Sequence, residues 1–221
     1  MLARARGVQE YLDGPASPAD REASLADIDR LNAWFGGYWL SERAIARLAA
    51  RVPAGEPIRI IDVGGGRGDL AARLLRHGRR LRVIVVDREA AMPIAGPGVA
   101  VVRADATALP FRPGAAHVVA AALLLHHLEP TAAARCLGEM RAAARIGVVI
   151  NDLLRTRLAL SLVWLATRFF TRHPFARHDG PLSVRRAYSP DEITVLARKA
   201  GVSRPTIRRY PWLGRLVAIF E

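Results

Sequence analysis

Apolar residues along the chain change period twice, and the changes mark three stretches. After a Pro/Gly/Ser/Asp-rich opening from Asp13 to Asp20, Leu25–Phe35 and Leu40–Arg51 alternate apolar and charged positions at helical spacing. Ser41, ahead of Arg43 and Ala44, reads as a helix start, and Pro53, Gly55 and Pro57 end the segment. From Ile58 the rhythm becomes short apolar runs: Ile58–Val63, Leu81–Val86, Val99–Arg103, His117–Leu125 and Ile146–Ile150. Leu70–His77 and Thr131–Arg145 read as helices between them, the second capped by Thr131. Runs that are apolar throughout and alternate with helices predict a parallel sheet buried on both faces, a doubly wound α/β layer.

The tail has a different pattern. Ser189-Pro190-Asp191-Glu192 is a helix start with a serine cap and proline in the first turn, and Gly201 stops that helix. Ser203–Tyr210 and Leu213–Phe220 follow as strands around Pro211, an antiparallel pair at the sheet edge. The expected fold is α/β with a seven-stranded, mostly parallel sheet and an antiparallel C-terminal hairpin. Its expected parts are an N-terminal helical cap (1–57), a core (58–152), a helical lid (153–188) and the rest of the core (189–221).

Four glycines fall at positions 64–68 in IIDVGGGRGDL, right after the first apolar run. A dinucleotide-type GxGxxG would need glycine at 69, where Asp69 stands, and no Gly-Lys-Ser/Thr follows to make a phosphate loop. The spacing is Asp62-x-Gly64-x-Gly66-x-Gly68. It resembles the first motif of class I S-adenosylmethionine (SAM)-dependent methyltransferases. Asp87 ends the second run, 25 residues beyond Asp62, where such folds place a carboxylate on ribose hydroxyls. Asp105 in RADATALPF follows the third run, where the resemblance implies contact with the adenine amino group. The resemblance thus implies a Rossmann-like fold, SAM as cofactor with S-adenosylhomocysteine as product, and a cofactor site of Asp62, Gly64, Gly66, Gly68, Asp87, Asp105 and Ala106.

Further stretches carry the resemblance toward a small-molecule branch. AALLLHHLEP (Ala121–Pro130) is similar to the fourth-strand segment of ubiquinone/menaquinone-biosynthesis-type methyltransferases. EYLDGP near the start, VVINDLLRTRLAL, and RHDGPLSVRRAYSPDEI resemble bacterial secondary-metabolite methyltransferases.

Composition narrows the partners. The net charge is +13, yet only Lys199 among the 33 basic residues is lysine, and the arginines are scattered without interleaved aromatics. That pattern disfavours a nucleic-acid surface. An RNA methyltransferase is kept as an alternative, although the fourth run lacks the Asn/Asp-Pro-Pro-Tyr/Phe signature of amine methylation. One cysteine, Cys136, allows neither an internal disulfide nor a cysteine metal cage. Val118–Leu125 and Leu158–Ala166 are too short to span a bilayer, and the charged start does not read as a signal peptide, so the cytoplasm is expected. A basic surface and an apolar lid leave peripheral membrane contact open, as are the monomer and the homodimer.

The acceptor side rests on fewer residues. His126 and His127 stand at the mouth of the fourth strand, either as a general base, His127 first, or as cleft-shaping side chains. Asn151 and Asp152 end the fifth run, to orient an acceptor hydroxyl or to cap the next helix. Trp164, Phe169 and Phe170 in the lid, with Trp34, Phe35, Tyr38 and Trp39 opposite, read either as walls of an apolar pocket or as a helix seam. The substrate candidates are therefore Trp34, Tyr38, Asn151, Asp152 and Trp164. His173, His178 and Asp179 fit no metal-ligand spacing and lie among turn residues, so no metal is expected. Arg185 and Arg186 are placed to pin the lid to acids or to hold an acidic acceptor group. The function expected is O-methylation of a small, lipophilic phenol or quinol; C-methylation of a quinone-like ring is the alternative on the same scaffold.

Overall fold

The computed structural model describes residues 2–76, 80–89, 98–202 and 205–221. Its sheet has seven strands in the order β3-β2-β1-β4-β5-β7-β6. β1 (Ile58–Val63), β2 (Leu81–Asp87), β3 (Val99–Arg103), β4 (Ala116–Ala122) and β5 (Ala144–Leu153) run parallel. β7 (Arg215–Phe220) is antiparallel to both β5 and the edge strand β6 (Thr206–Tyr210). The apolar runs do form a sheet covered on both faces. One face packs on α4 (Pro130–Ala143) and α7 (Pro190–Lys199) through Leu137, Met140, Ile193 and Leu196. The other packs on α2 (Gly37–Ala49) and α3 (Asp69–Leu75) through Leu40, Ile45, Leu48, Leu70 and Leu74.

α7 begins as its sequence dictates: Ser189 Oγ accepts the Glu192 N–H at 3.2 Å, and Glu192 accepts the Ser189 N–H at 2.7 Å. Other starts differ from expectation. α1 (Pro18–Trp34) begins at the Ser17-Pro18 pair, inside the stretch read as an irregular opening. Ser41 is not a helix start; it lies inside α2 and is buried, its hydroxyl bonded to the Gly37 carbonyl at 3.3 Å. α4 begins at Pro130 with Glu129 as its N-cap, so Thr131 is already helical. His77 and Ser203, where the sequence reading ended a helix and began a strand, lie outside the described residues, as do Arg79 and Arg204.

The lid is a pair of helices, α5 (Arg157–Phe170) and α6 (Pro174–Arg186). Thr156 caps α5, its Oγ1 accepting the Ala159 N–H at 3.1 Å. They cross closely at Gly180, where a Cβ would lie 2.7 Å from Thr167 Cγ2. The turn expected around His173–Asp179 is thus a helix, because Pro174 occupies the first turn, where its missing N–H costs nothing. Ahead of α1 the chain runs as a strap over α6. The Ala5 N–H bonds the Arg185 carbonyl at 2.9 Å, and the Tyr11 and Leu12 N–H groups bond Asp179 at 2.8 and 3.0 Å. Strap and lid together enclose space over the C-terminal ends of β1, β2 and β4, where the strand order reverses and α/β folds hold their ligands.

Candidate active site

A cavity of about 900 Å³ occupies this position. One half of it is the glycine loop between β1 and α3. Gly64, Gly66 and Gly68 have φ of 70°, 53° and 83°, the left-handed region that side chains resist. A Cβ on Gly64 would lie 2.8 Å from Leu124 Cδ1, and one on Gly65 would lie 2.8 Å from both Asp62 Oδ2 and Val85 Cγ1. The bare backbone therefore keeps open a surface that any side chain would fill.

Three carboxylates frame that surface. Asp62 is buried in β1, and its Oδ2 has no hydrogen-bond partner; burial, reinforced by the charge of Asp87, pushes its pKa up to about 7. Asp87 accepts the Gly66 N–H at 2.9 Å on Oδ2 and the Glu89 N–H at 3.0 Å on Oδ1, which fixes the loop. Asp105 accepts the Thr107 N–H and hydroxyl on Oδ1, both at 2.7 Å, and these bonds hold it below the usual carboxylate range. Each carboxylate oxygen has a second lone pair, so all three acids can still take hydroxyl or amine donors. An orphaned buried acceptor beside a side-chain-free cradle fits a ligand rich in donors. Asp62, Gly64, Gly66, Asp87, Asp105 and Ala106 line the cavity; Gly68 does not, and serves instead as the N-cap of α3.

The other half centres on two histidines. Past β4 the chain bends at Leu123, a non-glycine residue with φ of 55°, and enters a 3-10 turn at Leu125–His127. The imidazoles lie 4.2 Å apart between centroids. His126 Nδ1 is 2.7 Å from Asp152 Oδ1, and His127 Nδ1 is 2.8 Å from Asp13 Oδ1. Burial works against both aspartates. The charge and hydrogen bond of His126 overcome it at Asp152, which stays below the usual range. At Asp13 the bonds and charges of His127 and Arg186 bring the pKa down to about 2. An anionic acceptor at each Nδ1 calls for N–H there, and in the neutral imidazole that tautomer leaves the lone pair on Nε2.

Both Nε2 atoms face Glu10, at 3.9 Å from its two oxygens. Glu10 is buried, Oε1 lacks a hydrogen-bond partner, and burial pushes its pKa up to about 7 against the charges of His127 and Arg186. Arg186 ties the cluster together, donating to Asp13 at 2.9 Å and to the carbonyls of His126 and His127 at 3.1 and 2.9 Å. Among the described residues, Glu10, His126 and His127 are the group whose ligand atoms converge as a metal site would need, within 4.8 Å. Arg186 Nη1, 3.6 Å from Glu10 Oε1, already sets a cation beside that carboxylate, so an added metal ion would meet a fixed positive charge.

The other sequence candidates separate. Tyr38 lines the cavity and donates its hydroxyl to Asp29 at 2.8 Å. Asn151 and Asp152 do not end β5 and cap no helix: β5 continues through Leu153 because β7 pairs with it there. Asn151 is buried and donates to the Gly37 carbonyl at 2.7 Å and Ser41 Oγ at 2.8 Å; it braces α2, and Asp152 acts through His126. Trp34 and Trp164 lie outside the cavity lining, exposed, because their helices turn Phe35 and Val163 toward the cavity instead. Arg186 pins the lid to the strap, whereas the Arg185 side chain is exposed. His178 stacks on Tyr11 at 3.9 Å. The sequence reading missed Glu10 and Asp13, although both sit in the quoted EYLDGP, where three-residue spacing brings two acids to one short turn.

Residues 60–147 match a protein family described as a methyltransferase domain. No curated protein matches the sequence. Solved structures do share its fold. A Nostoc punctiforme protein assigned to the O-methyltransferases has a TM-score of 0.66 at 14% identity, over 99% of this chain and 64% of its own. An O-methyltransferase family protein from Burkholderia thailandensis gives 0.61 at 16%, over 92% and 61%. Human N-acetylserotonin methyltransferase in complex with SAM gives 0.58 at 16%, over 97% and 63%. The chain thus spans under two thirds of the length of each. A carbon methyltransferase also shares the fold, with a TM-score of 0.59 at 14% identity over 83% of this chain. Residues 60–147 thus match a methyltransferase domain, and the chain carries the Rossmann-like fold of the solved methyltransferases.

Proposed function

We propose that the protein methylates a hydroxyl of a small, apolar, aromatic acceptor such as a phenol or quinol. The observation that carries this reading is the sharing of one cavity by the glycine cradle and a buried histidine–carboxylate cluster. The walls between them are apolar: Leu25, Ile28 and Leu31 from α1, and Leu162, Val163 and Ala166 from α5. Such walls suit an aromatic ring better than a charged or strongly hydrated acceptor.

Asp62, Gly64, Gly66, Asp87 and Asp105 would hold SAM, which would supply an electrophilic methyl group from its sulfonium and leave as the neutral thioether S-adenosylhomocysteine. A phenol is a weak nucleophile near neutral pH, with a pKa of about 10, so the chain must take its proton. His127 is placed for that task. Asp13 holds its ring through Nδ1, its Nε2 lies 3.9 Å from Glu10, and both residues line the cavity. His126, fixed by Asp152 and fully buried, is the positioning partner beneath it. The proton passes from the acceptor oxygen to His127 Nε2, and Glu10 and Asp13 offset the charge that forms. A carbon nucleophile on a quinol-like ring would use the same base.

The test is a SAM-dependent screen of phenols, resorcinols, quinols, flavonoids and hydroxyquinolones, with products mapped by mass spectrometry. Methyl ethers are expected. Ring-methylated products would move the reading to carbon, and methylation of RNA alone, with binding that collapses as salt rises, would replace it.

A further inference from the structure

All four tryptophans of the chain are on the outside. Trp34, Trp39, Trp164 and Trp212 are 59%, 51%, 47% and 81% exposed. Tryptophan is among the more buried residue types on average, so four exposed rings call for an explanation. They belong to three adjoining pieces: the end of α1 and start of α2, α5, and the 3-10 turn Pro211–Leu213 between β6 and β7. Phe170 of α5 meets Trp34 and Phe35 edge-on, each at 5.5 Å between centroids. A Cβ on Gly36 would lie 3.2 Å from Leu213, which closes the join between the α1–α2 turn and the Trp212 turn.

α5 is apolar on both sides. Its inner side gives Leu162, Val163 and Ala166 to the cavity, and its outer side exposes Leu158, Trp164, Leu165 and Phe169. Positions 158, 165 and 169 make one stripe on that outer face, and 157, 164 and 168 make the next. The second stripe carries Arg157 and Arg168, with the Arg168 guanidinium 5.5 Å from the Trp164 ring centre; Arg43 stands likewise 5.6 Å from Trp39. Arg43, Arg157, Arg168 and Arg172 are exposed, and among the described residues none pairs with a carboxylate. From Leu153 to His178 the sequence holds five arginines and no acid.

We infer that this face docks on the surface of an anionic lipid bilayer. The chemistry matches an interface on each count. Tryptophan rings settle at the headgroup level, aliphatic and phenyl groups reach the acyl boundary, and arginines at the rim meet lipid phosphates. No helix of the described residues is long and apolar enough to cross a membrane, so the contact is peripheral. A second copy of the chain is the poorer occupant, because a two-fold contact here sets unpaired arginines of one copy against those of the other. Phe35 and Trp212 belong both to this face and to the cavity lining, so the cavity mouth opens within the docked surface. A lipophilic acceptor can then enter from the bilayer without crossing water.

The experiment is flotation of the full chain with phosphatidylcholine vesicles with and without phosphatidylglycerol, alongside tryptophan emission. Binding should require the anionic lipid and shift the emission to the blue. Replacing Arg157, Arg168 and Arg172 with Gln should weaken it roughly 100-fold, since each basic residue near an anionic surface strengthens binding severalfold. Leu165→Glu with Phe169→Glu should abolish it. The SAM-induced thermal shift, measured without vesicles, should survive in both variants, which shows that they fold and reads the donor site separately. Absence of vesicle binding in the wild type, or equal binding by the variants, overturns the inference. So does a concentration-dependent dimer that the Glu variant dissociates, which assigns the face to a second copy.

Discussion

The two halves of the cavity are built by opposite means. The glycine cradle proposed for the donor lies within seven consecutive residues, 62–68, and depends on backbone that only glycine adopts without strain. The cluster proposed to serve the acceptor gathers Glu10 and Asp13, His126 and His127, Asp152 and Arg186 from both ends of the chain and from between them. A local conformation can be encoded in residue types and spacing. A long-range charge network is encoded only in where the fold carries its members. The donor half is therefore open to damage by one methyl group, whereas the acceptor half fails by losing charge partners.

The largest effect is expected from Gly64→Val. A branched side chain at φ of 70°, with its Cβ 2.8 Å from Leu124, closes the cradle and strains the loop. The SAM-induced thermal shift should vanish; if it persists at full size, the cradle is not the donor site. On the other half, His127→Ala should lower kcat by about 10²–10⁴-fold, the usual contribution of a positioned base, with the SAM shift intact. The loss should be greatest at low pH, where the acceptor is un-ionised. Equal loss with acceptors already ionised would make His127 a positioning residue instead.

The same contrast governs what the sequence makes legible. Short apolar runs such as Val118–Ala121, recurring in alternation with helical segments, read as strands covered on both faces, so the sheet and its parallel sense follow from local pattern. The spacing Asp62-x-Gly64-x-Gly66-x-Gly68 shows the cradle for the same reason. Asn151 and Asp152 were open to misreading because β5 is lengthened by β7, a partner more than 60 residues away. Asp152 then reads as a rim acid, when it is a buried anchor for His126. Ser17-Pro18 carries the same helix-start signal as Ser189-Pro190, but the Pro/Gly-rich stretch around it reads as a loop. Glu10 and Asp13 gain meaning only when Asp179 and Arg186 draw the strap across the histidines.

Arg186→Ala should break the acceptor half alone. The guanidinium is buried and is shared by Asp13 and two carbonyls, so its removal leaves several groups without partners. A destabilisation of about 3 kcal/mol is expected from the loss of one member of a buried ion pair. Acceptor KM should rise while SAM affinity, measured below the lowered Tm, stays unchanged. A matching fall in SAM affinity would mean that the two halves are mechanically one.

The smallest effect belongs to Glu10→Gln, and its sign depends on pH. The folded-state pKa of Glu10, about 7, lies above its ordinary value of 4.5 because burial disfavours the charged form. Between those values the folded chain holds a proton that the unfolded chain has released, so stability falls as pH rises through this window. The cost is absent below the ordinary value and complete above the folded one. Glutamine keeps the shape and removes the ionisation, so the variant should match the wild type near pH 4 and exceed it above neutrality by about 1–2 kcal/mol, allowing for relaxation around the charge. Thermal melts of both proteins across this range give the difference directly. An offset that does not change with pH would show that Glu10 contributes only through packing. A pH-dependent one would locate, between two imidazoles, a carboxyl that ionises where the proposed methyl transfer takes up a proton.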